Sequence, residues 1–421
     1  MNRRDFIKLG VKTSSVVLIG SQLLPAGCGS DAESDPAASV TDGDLDGAPN
    51  DGLTEGEAEE NVLSATVYAV LGTELTELPA MATEAAKLLG FTGTALAGAT
   101  IFIKPNFVAL GMELMGMHFD PASGEVTKPE LLVAIAEQCL KAGAAKVTIG
   151  EGAQTQKWDW ATVPFIPGNS IEGATDIKAA VDRLNAVYGD GKAELLCVNE
   201  ADEWELVPSS SDDKNVKDGI NVSRAFALAD HVISVPVIKT HQWANMTASM
   251  KNLFGLASIK KHGNGISRCN LHMAYADITC HGVEQAGVSG SFIDIFKWRK
   301  DSGKQDYAII DGSICLEGDG PHKAPVNDGK TIHMKDRNAA GKYFLLASTD
   351  YVAADATVAR IINIPIDDIK ALRMARNLAL GAIDNVELIG ATIDDLKVAD
   401  WLKPELQPES FFATFCPTGR R

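Results

Sequence analysis

Three lysines and a histidine stand beside short polar side chains in segments suited to holding an anion: Lys104-Pro105-Asn106, Lys239-Thr240-His241, and Thr247 followed by Lys251-Asn252. Ammonium groups fixed in a cleft neutralise a carboxylate or phosphate, while Asn106, Thr240, Thr247 and Asn252 supply the hydrogen bonds that orient it. His241 or a desolvated Lys239 is the candidate for moving a proton. Imidazole titrates near neutrality, and burial makes an ammonium give up its proton more readily. Taken one at a time, each residue is an ordinary surface charge or helix end. A site exists only if the fold brings them together.

The elements around them are arranged to do so. Val- and Ile-rich runs read as strands at Thr66 to Val70, Thr100 to Lys104, Lys146 to Gly150, Leu195 to Val198, His231 to Lys239, Tyr307 to Asp311, Tyr343 to Ser348 and Val386 to Ile389, alternating with helical patterns. The fold class expected is α/β, a layered and mostly parallel sheet flanked by helices. Residues 155–225 read as an irregular cap or insertion, because Trp158, Trp160, Pro164, Pro167 and Ser209-Ser210-Ser211 punctuate without a sustained period. Ligands of open α/β sheets bind beyond the carboxyl ends of the strands. Four polar segments fall at such ends: Lys104-Pro105-Asn106, Gly150-Glu151-Gly152, Lys239-Thr240-His241, and Ile310-Asp311-Gly312 leading to Glu317-Gly318-Asp319-Gly320-Pro321.

Three helices matter to this reading. One runs from Pro129 to Ala142, with Thr127 as cap, Glu130 reaching back and Gly143 as stop. A second, from Asn245 to Gly255, puts Thr247 and Lys251 on one face. A third, from Leu271 to Gln285, spaces Asp277 and His281 four apart, so that with His272 they could face a divalent metal. Glu317, Asp319 and Asp355 could add oxygens for a harder ion such as magnesium or manganese.

Several chemistries lack their signatures. No C-x-x-C pair occurs among the seven cysteines, so an iron–sulfur cluster is not expected. H-E-x-x-H, G-x-S-x-G and a Walker loop are likewise missing from the sequence. Single cysteines at scattered positions behave as small apolar residues, and a disulfide fits an oxidising compartment.

The whole region from about residue 62 to 395 resembles the domain of unknown function DUF362. The matching positions are Lys104-Pro105-Asn106, Lys128-Pro129-Glu130 through Gly143-Ala144, Lys239-Thr240-His241, Thr247 with Lys251-Asn252 and Phe254-Gly255, Glu317 to Pro321, and Asp350 to Asp355. The resemblance implies a family and no activity. Relatives fused to iron–sulfur modules point to redox metabolism, but this chain lacks the cysteines that such modules need.

The first 28 residues indicate where the protein works. Arg3-Arg4-Asp5-Phe6-Ile7-Lys8, the uncharged stretch Thr13 to Gly27, and Leu23-Leu24-Pro25-Ala26-Gly27-Cys28 read as a twin-arginine (Tat) signal ending at a lipidation site on Cys28. Residues 29–61 carry eleven acids and no Lys or Arg, and read as a disordered acidic linker. The α/β domain then spans 62–421. The expected location is the periplasm or cell envelope after Tat export, with membrane contact only through the lipid. The whole chain has 38 Lys and Arg against 56 Asp and Glu, a net charge of −18, and no basic run interleaved with aromatics. Nucleic acid is therefore not an expected partner. A small anionic molecule is. Two functions fit these residues: proton-transfer or redox-linked chemistry on that molecule, or non-catalytic capture of a ligand or cofactor by a periplasmic lipoprotein.

Overall fold

The structure is a computed structural model that describes residues 63–108, 110, 118–154, 158–263 and 267–408. The twin-arginine segment, Cys28 and the acidic linker lie outside the described residues. No helix among the described residues is long and apolar enough to cross a membrane.

The chain begins with β1 (Ser64–Gly72) and α1 (Leu78–Leu88), and then winds a parallel βαβαβ series. That series is β2 (Thr100–Pro105), α2 (Pro129–Lys141), β3 (Lys146–Glu151), α3 (Ile177–Tyr188) and β4 (Ala193–Cys197). A small antiparallel pair, β5 (Trp204–Val207) and β6 (Ile220–Ser223), leads through α4 (Arg224–Leu228) into β7 (His231–Val235) and β8 (Val237–His241). Next come β9 (Asn245–Thr247), the short helices α5 (Ser249–Asn252), α6 (Ile259–His262) and α7 (Cys269–Met273), and the long α8 (Val288–Asp301). The last third holds β10 (Tyr307–Asp319), β11 (Asp328–His333), β12 (Tyr343–Ser348), α9 (Tyr351–Ile361), α10 (Lys370–Asn377), β13 (Asn385–Ile389) and α11 (Ile393–Leu396).

The main sheet has 11 strands, ordered β13-β1-β12-β10-β7-β2-β3-β4, with β11 and β8 attached at β10 and β9 paired to β8. Strands β10, β7, β2, β3 and β4 run parallel, and β12 is antiparallel to both its neighbours. This is the expected α/β architecture. Alternation along each strand splits the core in two: Ile101, Ile103, Ile233 and Ile309 pack toward α1, α2 and α3, and Phe102, Val232 and Ile310 toward α8 and α9. Each such side chain adds about 1.5–3 kcal/mol on burial.

Several local expectations are corrected. Within 155–225, α3 and β4 extend the sheet in regular fashion. Asp176 caps α3 by accepting from Ala179 N, and Ile177, Ala180, Val181 and Leu184 form its buried stripe. The run from His231 to Lys239 is two strands, because Pro236 has no N–H for the ladder and the chain shifts there. Asn245 to Gly255 is not one helix: Thr247 lies in β9, paired across from Lys239, and the helix starts only at Ser249. The helix expected from Leu271 ends at Met273, and His281 takes a left-handed φ of 50° in the turns that follow. Thr127 does not cap α2; its hydroxyl donates to Val235 O at 2.6 Å and accepts from Asn106 N at 3.0 Å, tying β2 to β7.

Candidate functional site

The parallel strands deliver their carboxyl ends to one edge, where Lys104 and Glu151 meet. Lys104 Nζ lies 2.8 Å from Glu151 Oε1 and also donates to Pro105 O at 2.6 Å. Glu151 accepts further from Phe107 N at 2.7 Å and Gly152 N at 2.7 Å. A Cβ at Gly255 would stand 3.1 Å from Lys104 Nζ and 3.3 Å from Glu151 Oε1, so the glycine lets the backbone approach the pair closely. Asn252 completes the clip. Its Nδ2 donates to Lys104 O at 2.8 Å and Ser234 Oγ at 3.1 Å, while its Oδ1 accepts from Asn106 Nδ2 at 3.2 Å. Lys104, Asn106 and Asn252 are thus held by the protein's own groups.

Lys239 is placed differently. It is 1% exposed, and its Nζ donates to a backbone carbonyl, Glu125 O, at 2.6 Å. Among the described residues no carboxylate forms an ion pair with it. Burial, reinforced by the positive charge of Lys251, holds its pKa well below the ordinary lysine value. Directly across the β8–β9 hairpin, Thr247 Oγ1 is buried without a hydrogen-bond partner. Thr240 turns the other way, its hydroxyl donating to Leu316 O at 3.4 Å.

His241 ends β8, 6% exposed, and its pKa is lowered well below the ordinary histidine value by burial and then by Lys251, His272, Lys239 and His322. Its Nδ1 accepts from Trp243 N at 3.2 Å, which leaves Nε2 to carry the proton of the neutral ring. Trp243 packs edge-on against both His241 and His272. Lys251 sits over the Phe254 ring, 5.7 Å from its centroid, and borders a cavity of about 10 Å³ with Met246, Met250 and Asp355, room for about one water.

Two residues of this edge escaped the sequence reading. His322 Nδ1 is 3.3 Å from Glu125 Oε1, and its Nε2 lies 3.1 Å from Gln154 Nε2. Burial lowers the His322 pKa. Although burial works against ionising Glu125, its contacts with His322 and Lys323 hold its carboxyl below the usual range. His322 directly follows the Gly320-Pro321 step, so a signal was present, whereas nothing local marked Glu125.

The acids expected to serve a hard cation have other tasks. Glu317 pairs with Arg337 at 3.1 Å and accepts from Leu402 N, Asp319 accepts from Glu405 N, and Asp355 accepts from Ser249 N and Met250 N at the start of α5. Asp311 forms a second buried ion pair with Lys128 at 3.2 Å. The expected set of His272, Asp277 and His281 does not assemble: His272 packs on Trp243 and Phe254, Asp277 is exposed in a turn, and His281 Nε2 bonds Asp294 Oδ1 at 2.7 Å. Among the described residues the three donors that do converge as a metal site requires are Cys280, His281 and Asp294, with ligand atoms within 4.8 Å of one another.

Fold and site together define an α/β protein with a buried cationic centre at the carboxyl edge of its parallel strands. The chain belongs to the family described as domain of unknown function (DUF362), whose model matches residues 101–360, more than half of its length. No curated protein matches the sequence. Among solved structures it is similar to a protein of Thermotoga maritima, at 9% identity and a TM-score of 0.34, over 66% of this chain and 56% of that one. It therefore spans little more than half the length of that protein. It is also similar to the lactate racemase apoprotein of Thermoanaerobacterium thermosaccharolyticum, at 12% identity and a TM-score of 0.29, over 82% of this chain and 87% of that one.

Proposed function

We propose that this protein is exported by the twin-arginine route, is anchored by a lipid on Cys28, and binds a small anionic substrate or cofactor at Lys239, Lys251, His241 and Thr247. One observation carries the reading. The Lys239 ammonium is buried with a backbone carbonyl as its acceptor and other lysines nearby. A buried charge in that state is expensive unless a counter-ion joins it, and a carboxylate or phosphate oxygen would serve. Thr247 Oγ1, partnerless beside it, is a ready donor to the same ligand. The neutral His241 ring offers Nε2–H as a third.

Lys104, Asn106, Thr240 and Asn252 build the wall rather than touch the ligand. With its pKa pulled down by burial, the Lys239 ammonium gives up its proton to a bound anion more readily than an ordinary lysine and can take it back, as a general acid does. Export is supported by Cys269, which is disulfide-bonded, as suits an oxidising compartment. Native mass spectrometry of the protein purified after export tests the reading: a retained anion lost in Lys239→Met is expected. Equal ligand content in both proteins would contradict it.

A further inference from the structure

The turns after α7 bring a thiol and an imidazole together with a carboxylate of the long helix α8. We propose that Cys280, His281 and Asp294 bind one zinc ion, pinning the 274–287 turns to α8. The donors are an unusual set to find buried side by side. Cys280 is 1% and Asp294 5% exposed, while the His281 side chain keeps 13% of its surface. Thiolate, imidazole and carboxylate together suit zinc better than magnesium or calcium, which prefer oxygen alone.

The surroundings are those of a held metal site. Ser210 Oγ contacts Cys280 Sγ at 3.0 Å and donates to Asp294 Oδ2 at 2.9 Å, and Ser210 N donates to the same oxygen at 2.8 Å. The Tyr275 hydroxyl donates to Asp294 Oδ2 at 2.6 Å. These bonds occupy one carboxylate oxygen and leave Oδ1 facing the imidazole, the kind of outer-shell support that orients metal ligands. The backbone is also arranged for it. His281 adopts φ 50° and Gly282 φ 76°, in a tight turn closed by reciprocal bonds between Cys280 and Val283. A left-handed histidine is held against its preference, and such strain clusters at functional positions.

The 2.7 Å contact between His281 Nε2 and Asp294 Oδ1 is the contact a shared proton makes. Tetrahedral zinc with bonds of about 2.0 Å separates its ligand atoms by roughly 3.3 Å, so this contact needs to open by only about 0.6 Å. Three protein ligands leave a fourth position, which the exposed edge of His281 opens to water.

The test uses full-length protein stripped of metal, titrated with Zn²⁺ and separately with Co²⁺. The expected result is uptake of one zinc per chain, and a thiolate-to-cobalt absorption band in the near ultraviolet. Cys280→Ser removes the band, Asp294→Asn weakens uptake at least tenfold, and the exposed Asp277→Asn changes neither. If Cys280→Ser does not fold, the band in the wild-type protein decides alone. No band there, or uptake that survives both ligand substitutions, overturns the site.

Discussion

Lys104 and Glu151 join adjacent parallel strands by a 2.8 Å ion pair in which neither side chain is more than 3% exposed. Removing one member of such a pair strands the other in a medium that solvates it poorly. Glu151→Gln should therefore destabilise the protein by about 3–5 kcal/mol. The double variant Lys104→Met with Glu151→Gln should recover most of that loss, since no charge is then left alone and the amide oxygen still accepts a backbone N–H. Urea unfolding of the wild type and the two variants measures both effects.

The strand pattern and the helix α2 were legible because their apolar runs are long and their stops are plain. The edge of the sheet was legible in part: Lys104 and His241 lie within the last two residues of β2 and β8, whereas Lys239, expected to end a strand, sits in the middle of β8 and is paired there with Thr247 of β9. What local patterns concealed were roles set by distant partners. Nothing near Asn252 says that it bonds Lys104 O, 148 residues away, and nothing near Asp294 says that it meets His281. The helices expected at 245–255 and 271–285 failed for another reason. Hairpin pairing with β8 claims Thr247, and a glycine-rich turn claims His281, so tertiary pairing overrode the apparent period.

His262 gives the fold an acid limit. Burial, with Arg268 and Lys261 nearby, lowers its pKa to about 4, and its Nε2 accepts the Asn221 N–H at 2.8 Å as a neutral ring. The unfolded chain binds the proton first. The stability carried by the neutral ring is therefore full above about pH 6.5 and lost as pH falls toward 4, a change of roughly 3 kcal/mol. His262→Gln should flatten the stability curve between those values, which thermal unfolding at stepped pH will show.

The leader can be tested in cells. Replacing Arg3 and Arg4 with lysine should leave unprocessed precursor in the cytoplasm, because the twin-arginine pathway reads that pair. Cys28→Ser should release the protein from the membrane fraction or block its processing. Immunoblots of cell fractions report both.

The acidic linker should be dispensable to folding, since its composition builds no core. Deleting Asp31 to Asn61 should shift the melting temperature by less than about 1 °C, because the stability that sets it comes from the buried core of the domain.

The central claim is that Lys239 awaits an anion, and thermal unfolding with phosphate, oxalate or citrate tests it most directly. A bound anion at about 100 times its Kd adds roughly 2.7 kcal/mol to stability. The account predicts that at least one of these anions raises the melting temperature of the wild-type protein, that Lys239→Met abolishes the rise, and that this variant without anion is as stable as the wild type or more so. An unchanged rise in Lys239→Met, or a large loss of stability in the variant with no anion present, would show that Lys239 is a structural residue and contradict the account.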